Sequence, residues 1–292
     1  MPIAYGNDKL FLAWQGTDEH LYVTTSKDGK TFDAKHQLAE LALKSTRPAI
    51  AYGKGLVFLA WIDPNDHINI ISSQDGLYWS NKRTLTEECH RRCVPALVWA
   101  HDRLYLAWTG RERKNHLSIT SFTIADDGEL AEFGKTTLDE ESTDEAGPSL
   151  TTANDQLYMA WLGRNGHLNV VSSHNGQTFQ NKDTLRERSH HTSTPGITEG
   201  NGYLYLSWIG TDDKMNILSS TDGVTWSNKT TLPEKSTNTG VAALAFGNNT
   251  LFLDWTAAER HHHIDLMSFA ISSADGTLPQ GEKTVLEDEE RK

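Results

Sequence analysis

The chain has 292 residues, 37% apolar and 9% aromatic, which is enough to bury the core of one large or two medium domains. Its formal net charge of −12 excludes nucleic acid as a partner, because phosphate binding needs a basic stripe; the densest basic run, Arg111, Arg113 and Lys114, is interrupted by Glu112. No apolar run approaches the roughly 18 to 20 residues that cross a bilayer, so no membrane insertion is expected.

In chain order, a strand-like pattern begins at Pro2, with no signal peptide before it, which suits a cytoplasmic protein or a mature secreted one. The turn residues GND lead into a second strand, LFLAW, ending at Trp14. The loop QGTDEH leads to a third strand, and TSKDGKTFDAKHQL (Thr25 to Leu38) supplies a turn and a fourth strand. The same order then recurs. First strands are PAIAY-like (Pro48–Tyr52, Pro95–Trp99, Pro148–Thr152), and third strands are LNVVSS-like (Ile68–Ser73, Leu168–Ser173, Met215–Ser220). The first-to-second turns GND, GKG, HD, ND, GNG and GNN are rich in residues that accept positive φ, as tight hairpins require. Helical periodicity is nearly absent.

Trp14, Trp61, Trp108, Trp161, Trp208 and Trp255 close the second strands at spacings of 47, 47, 53, 47 and 47 residues. Six strand-rich units of this length predict an all-β, six-bladed β-propeller of four-stranded antiparallel blades. The expected blades are approximately 1–46, 47–92, 93–143, 144–191, 192–238 and 239–292, in one domain. Tryptophans three units apart are each separated by 147 residues, and units three and six share SFTIADDGEL and SFAISSADGTL, so a three-blade block is duplicated. No spare strand remains at either end, and closure by side-chain packing without strand exchange is expected. The acidic run 287–290 reads as a solvated end. Cys89 and Cys93, in CHRRC, form no disulfide framework; a tight local bridge and two thiols are both open.

The boxes SKDGKTF, SQDGLYW, SHNGQTF and STDGVTW resemble the Asp-box, or BNR, repeat of the sialidase superfamily, in a variant one residue shorter around the glycine. Asp28, Asp75, Asn175 and Asp222 are placed to accept backbone N–H bonds and tie the turn, with the glycine after each in a conformation costly for other residues. Phe32, Trp79, Phe179 and Trp226 are expected to pack under the neighbouring strand. The boxes mark a fold shared by enzymes, lectins and receptors, and a fold does not fix a function.

Strand alternation puts the boxes on one face, and the second-to-third loops and inter-blade connectors on the other. The resemblance implies that an active site would lie on that second face. There each second-to-third loop ends in a polar residue before the third strand: His20, His67, His116, His167, Lys214 and His263. A donor recurring once per blade suits sugar hydroxyls or a carboxylate, and equally suits a bond to a loop carbonyl in every blade. Equivalent positions on different blades lie too far apart to share one metal ion, so no metal site and no cofactor are expected; His261 to His263 could bind metal only adventitiously. The connectors KSTRP, HRRCVP, ESTDEAGP, SHHTSTP and KSTNTG carry hydroxyls, arginines and histidines toward the ring centre. Asp254 replaces the small residue that precedes the tryptophan in every other blade, so it needs a buried partner or serves as a site acid.

The resemblance further implies that a sialidase would need an arginine triad, a Tyr–Glu nucleophile pair and an aspartate acid. Arg47, Arg92 and Asp254 are the only speculative participants, and no triad assembles from the connectors. The leading reading is a non-catalytic carbohydrate-binding propeller with several shallow, quasi-equivalent sites. The alternatives are a sialidase-like exo-glycoside hydrolase and a protein-interaction scaffold. Protonating all thirteen histidines would move the formal charge from −12 to about +1, so binding is expected to change between pH 7 and 5.

Overall fold

A chain buried on both faces of its strands reads as continuous apolar runs, whereas one buried on a single face alternates. Both patterns recur here within each unit. The computed structural model describes residues 2–44, 46–89, 92, 94–237, 240–258, 264–272 and 274–286. Among these the chain forms 24 strands and no helix, in six four-stranded antiparallel sheets.

Each sheet is a simple meander. In the fourth, Ser149–Ala153, Gln156–Leu162, His167–Ser173 and Gln180–Arg188 follow one another in space as in sequence. The first strands, Ile3–Gly6, Ala49–Gly53, Ala96–Ala100, Ser149–Ala153, Gly196–Gly200 and Ala243–Gly247, touch one another in order, and the last touches the first. The result is the six-bladed propeller expected from the tryptophan spacing. Closure involves no exchanged strand: Ile3–Gly6 pairs inside the first sheet and Glu282–Leu286 inside the sixth.

The second strands are buried almost throughout because a neighbouring blade covers each of their faces. The fourth strands, at the rim, alternate between exposed and partly buried positions. Apolar side chains therefore gather into six clusters, one at each seam between adjacent blades. Trp61, Trp108, Trp161, Trp208 and Trp255 are at most 1% exposed and belong to these seams. Two indoles also stitch blades together: Trp61 Nε1 donates to Leu41 O (3.1 Å) and Trp161 Nε1 to Glu141 O (3.3 Å).

The boxes are tied as their residues dictate. Oδ1 accepts from two backbone N–H groups in each: Lys30 and Thr31 on Asp28, Leu77 and Tyr78 on Asp75, Gln177 and Thr178 on Asn175, Val224 and Thr225 on Asp222. A serine hydroxyl, of Ser26, Ser73, Ser173 or Ser220, accepts the glycine N–H at 2.9 Å in every box. Each of those glycines has φ between 69° and 83°. Phe32, Trp79, Phe179 and Trp226 each pack against a seam cluster shared with the preceding blade. The duplication is visible in bonds as well: Asn81 Nδ2 donates to Asp127 O (2.9 Å), and its counterpart Asn228 donates to Asp275 O (2.8 Å).

Candidate functional site

The second-to-third loops are short, and a backbone bond closes each. Gly16 N donates to His20 O, Asp63 N to His67 O, Gly110 N to His116 O, Gly163 N to His167 O and Gly210 N to Lys214 O, all at 2.8–2.9 Å. The residue that accepts this bond is the first of the third strand, so the repeated histidine or lysine occupies one equivalent place in five blades. The five side chains are partly exposed, and those of the four histidines are already engaged. His20 Nδ1 lies 3.1 Å from Leu38 O and His167 Nδ1 2.9 Å from Leu185 O, in the fourth strand of the same blade. His116 Nδ1 is 3.3 Å from Glu112 Oε1, and His67 Nδ1 is 3.8 Å from Asp63 Oδ1. In His20 and His167 this fixes the ring through one nitrogen and leaves Nε2 as the group with no partner among the described residues. His263 lies outside the described residues.

At four of the six seams is a set that the sequence alone did not single out. Lys82, Lys135, Lys182 and Lys229 reach across to Glu40, Glu87, Glu140 and Glu187 of the preceding blade. The same ammonium groups sit 5.3–5.6 Å above the rings of Trp61, Trp108, Trp161 and Trp208 of their own blades. The cause is local. The residue before each lysine, Asn81, Gly134, Asn181 or Asn228, has φ of 55–67°, and the register between third and fourth strands slips there. Asparagine and glycine tolerate this left-handed conformation, and the resulting bulge re-aims the next side chain.

Asn81, Asn181 and Asn228 are also held across the sheet by their Nδ2 donating to Ser72, Ser172 and Ser219 Oγ. The sixth blade has no such slip, and there Lys283 pairs instead with Asp265 of its own blade at 2.8 Å. The signal was present as a repeated Asn-Lys or Gly-Lys followed by Thr-Leu-x-Glu. Each of the first four seams thus presents a histidine, a glutamate, a lysine and a buried indole. Bonded donors and acceptors at a shallow surface can exchange partners with ligand hydroxyls, whereas the indole, at most 1% exposed, is a wall beneath the lysine rather than a stacking platform.

The speculative catalytic set does not assemble around the channel. The mouth on the connector face is lined by Pro2, Pro48, Pro95, Pro148, Pro195 and aliphatic neighbours, with a cavity of about 90 Å³, and no carboxylate or arginine is among its lining residues. Arg92 is bonded to Glu145. Asp254 is fully buried, where loss of solvent pushes its carboxyl up to about 6 against the pull of the Arg47 guanidinium. Arg47 and Asp254 therefore interact, but Asp254 is buried in the second strand of the sixth blade, opposite Ala243, and neither residue lines the channel mouth. No group of three or more His, Cys, Asp or Glu placed to hold a metal occurs among the described residues, and no helix there is long and apolar enough to cross a membrane. Cys89 is buried with its thiol on Thr109 O (3.5 Å), while Cys93 lies outside the described residues.

No protein-family model and no curated protein matches the chain. Solved structures similar to it include the SapL1 lectin in complex with α-methyl fucoside, at 10% identity and a TM-score of 0.74 over 98% of this chain and 96% of that one. An Aleuria aurantia lectin variant in complex with Fucα1-6GlcNAc matches at 9% identity and a TM-score of 0.66, over 96% and 94%. An α-L-arabinofuranosidase from Clostridium thermocellum matches at 14% identity and a TM-score of 0.52, over 81% and 93%. At these identities the likeness shows the fold: a propeller whose blades are arranged as in sugar-binding and sugar-cleaving proteins.

Proposed function

We propose that this chain is a non-catalytic carbohydrate-binding propeller whose quasi-equivalent shallow sites lie at the seams between blades. The observation that carries the reading is the recurrence of one polar set. His20, His67, His116 and His167 each open the third strand of a blade whose fourth strand carries a glutamate, Glu40, Glu87, Glu140 or Glu187, that is paired with a lysine of the next blade. Lys214 occupies the same place in the fifth blade, and His263 is its sequence equivalent in the sixth. Sugar hydroxyls are both donors and acceptors, so a carboxylate beside an ammonium and an imidazole matches a vicinal pair of them. The names of the similar lectins support a glycan partner and put fucosylated structures first among those to test. The prolyl and aliphatic channel supports binding over hydrolysis, since it offers neither the acid nor the cation clamp that glycoside cleavage needs. We also assign the four turns tied by a serine and by Asp28, Asp75, Asn175 or Asp222 to the Asp-box class of the sialidase superfamily, on the identity of their bonds.

The test is a glycan array at pH 7 that includes fucosylated structures and paired sialylated and desialylated ones. Selective retention is expected, and simultaneous replacement of His20, His67, His116 and His167 by alanine should reduce it by at least about tenfold, since each site loses a hydrogen bond worth roughly 1 kcal/mol. Unchanged retention by that variant would show these residues to be structural. Release of free sugar from any array member would replace the binding reading with a hydrolytic one.

A further inference from the structure

The opposite mouth of the channel, on the face of the first-to-second turns, carries a second repeated pattern with a gap in it. Each first strand ends there in a pair of residues. In four blades the pair is an aromatic followed by glycine: Tyr5–Gly6, Tyr52–Gly53, Phe246–Gly247 and, with an alanine second, Trp99–Ala100. Each aromatic lies on the glycine of the preceding blade, so closely that a Cβ there would collide. A Cβ on Gly6 would sit 2.0 Å from Tyr52 Cγ, one on Gly53 2.0 Å from Trp99 Cγ, one on Gly247 2.0 Å from Tyr5 Cγ, and one on Gly200 2.6 Å from Phe246 Cδ2. Glycine and aromatic are thus two halves of one contact, made four times around the mouth.

At the two remaining contacts both halves are exchanged together. Ala100 faces Thr152 instead of an aromatic, and Ala153 faces Glu199. The three-blade duplication does not account for this, because Thr152 and Glu199 are the counterparts of Tyr5 and Tyr52. Where the two rings are missing there is a pocket of about 420 Å³, large enough for a small ligand. Besides the two alanines it is lined by Thr152, Glu199 and the turn residues His101, Asn154 and Asp155. The turn residues have φ of 47–56°, so their side chains spring from tight, fixed hairpins. Glu199 is oriented by Gly202 N, which donates to Oε1 at 2.8 Å. Two carboxylates face this pocket, no lysine or arginine is among its lining residues, and no aromatic ring is left to stack on a sugar face.

The geometry points to a second binding site here, independent of the seams, for a small organic cation bearing a primary ammonium group and no larger than one amino sugar. The ammonium supplies the positive charge that the pocket's lining residues do not offer to Glu199 and Asp155, and the net charge of −12 favours its approach. Thr152, Asn154 and His101 remain for neighbouring hydroxyls or a second amine.

Calorimetric titration with glucosamine, putrescine and N-acetylglucosamine tests this. One saturable site is expected for glucosamine, putrescine or both, which separates an amino-sugar source from a free amine. N-acetylglucosamine, which has the ring without the charge, should bind at least about tenfold more weakly than glucosamine where glucosamine binds. Glu199→Gln should weaken the ammonium ligands by a similar factor while leaving the thermal midpoint unchanged. The double variant Ala153→Gly with Glu199→Phe rebuilds the contact found in the other blades and should abolish binding by filling the pocket. If neither amine binds, if acetylation makes no difference, or if Glu199→Gln binds as well as the parent, the proposal is wrong. Should the double variant misfold, the Glu199→Gln titration decides alone.

Discussion

Two aspartates show how environment, rather than residue type, sets what a side chain contributes. Asp222 is exposed and accepts two backbone N–H bonds at 2.7 and 2.8 Å, which hold its carboxyl down at about 2. Its stabilising effect is therefore present above the ordinary aspartate pKa near 4 and is lost as pH falls toward 2. Asp222→Ala should cost about 1 kcal/mol in urea unfolding at neutral pH, as for other side-chain caps on backbone donors. Asp222→Asn should cost less, because Asn175 ties the same turn through an amide oxygen. Asp254 has the opposite sign. Burial raises its pKa to about 6, so the folded state binds its proton more tightly than the unfolded chain does. Stability from this group is fullest below pH 4 and declines as pH rises through 6. A rise from the ordinary aspartate value to about 6 corresponds to about 3 kcal/mol. Asp254→Asn should therefore match the parent near pH 4 and exceed it by up to that amount near pH 8; a parent curve that is flat between pH 4 and 7 would contradict the assignment. The oddity of Asp254 was legible in the sequence as a break in a repeat. Its environment was not, because the Arg47 guanidinium that acts on it comes from another blade.

At the scale of the element, one residue in the left-handed region decides where a lysine points. Asn228, at φ 55°, opens the slip between third and fourth strands, and Lys229 then crosses the seam to Glu187 at 2.7 Å. Asn228→Gly keeps that conformation and should leave the cross-seam pair intact. Asn228→Val puts a β-branched residue where the left-handed state costs roughly 1–2 kcal/mol, and it removes the bond to Ser219 Oγ. It should lower urea-unfolding stability by about 2 kcal/mol and weaken glycan retention at that seam, while the glycine variant, which loses the same side-chain bonds to Ser219 Oγ and Asp275 O but keeps the backbone conformation, should lose less stability and keep its retention. The strands themselves were legible because LFLAW-like runs and Asn-Gly turns state their period and their ends. The Lys–Glu–Trp set was not singled out, although its residues recur visibly. Its members are separated by 42 residues between glutamate and lysine and 21 between tryptophan and lysine in three of the four sets, and by 48 and 27 in the set of Glu87, Lys135 and Trp108, and only ring closure brings adjacent blades face to face. The histidines posed the reverse difficulty. Their recurrence was plain, but the carbonyls of Leu38 and Leu185 that hold His20 and His167 belong to the far end of the same blade and could be named only from the pairing of its third and fourth strands.

At the scale of the whole molecule, the ring would combine the proposed weak sites into one surface. The blades are rotated around one axis, so the four seams that carry the polar set are held at fixed spacings. A glycan-coated surface can engage several together, and each additional engagement is intramolecular once the first has formed. The geometry also makes a prediction about counting. Replacing Glu40, Glu87 and Glu140 one after another by glutamine removes the charged partner at successive seams. Titration with a free monosaccharide should then show fewer sites of unchanged affinity, because the remaining seams do not touch the altered ones. Retention on an immobilised multivalent glycan should fall by a larger factor at each step, since every lost seam removes one intramolecular engagement. A retention that declined only in proportion to the number of sites would mean that the ring meets its ligand one seam at a time, and that rigidity rather than multivalency is what the repetition of blades supplies.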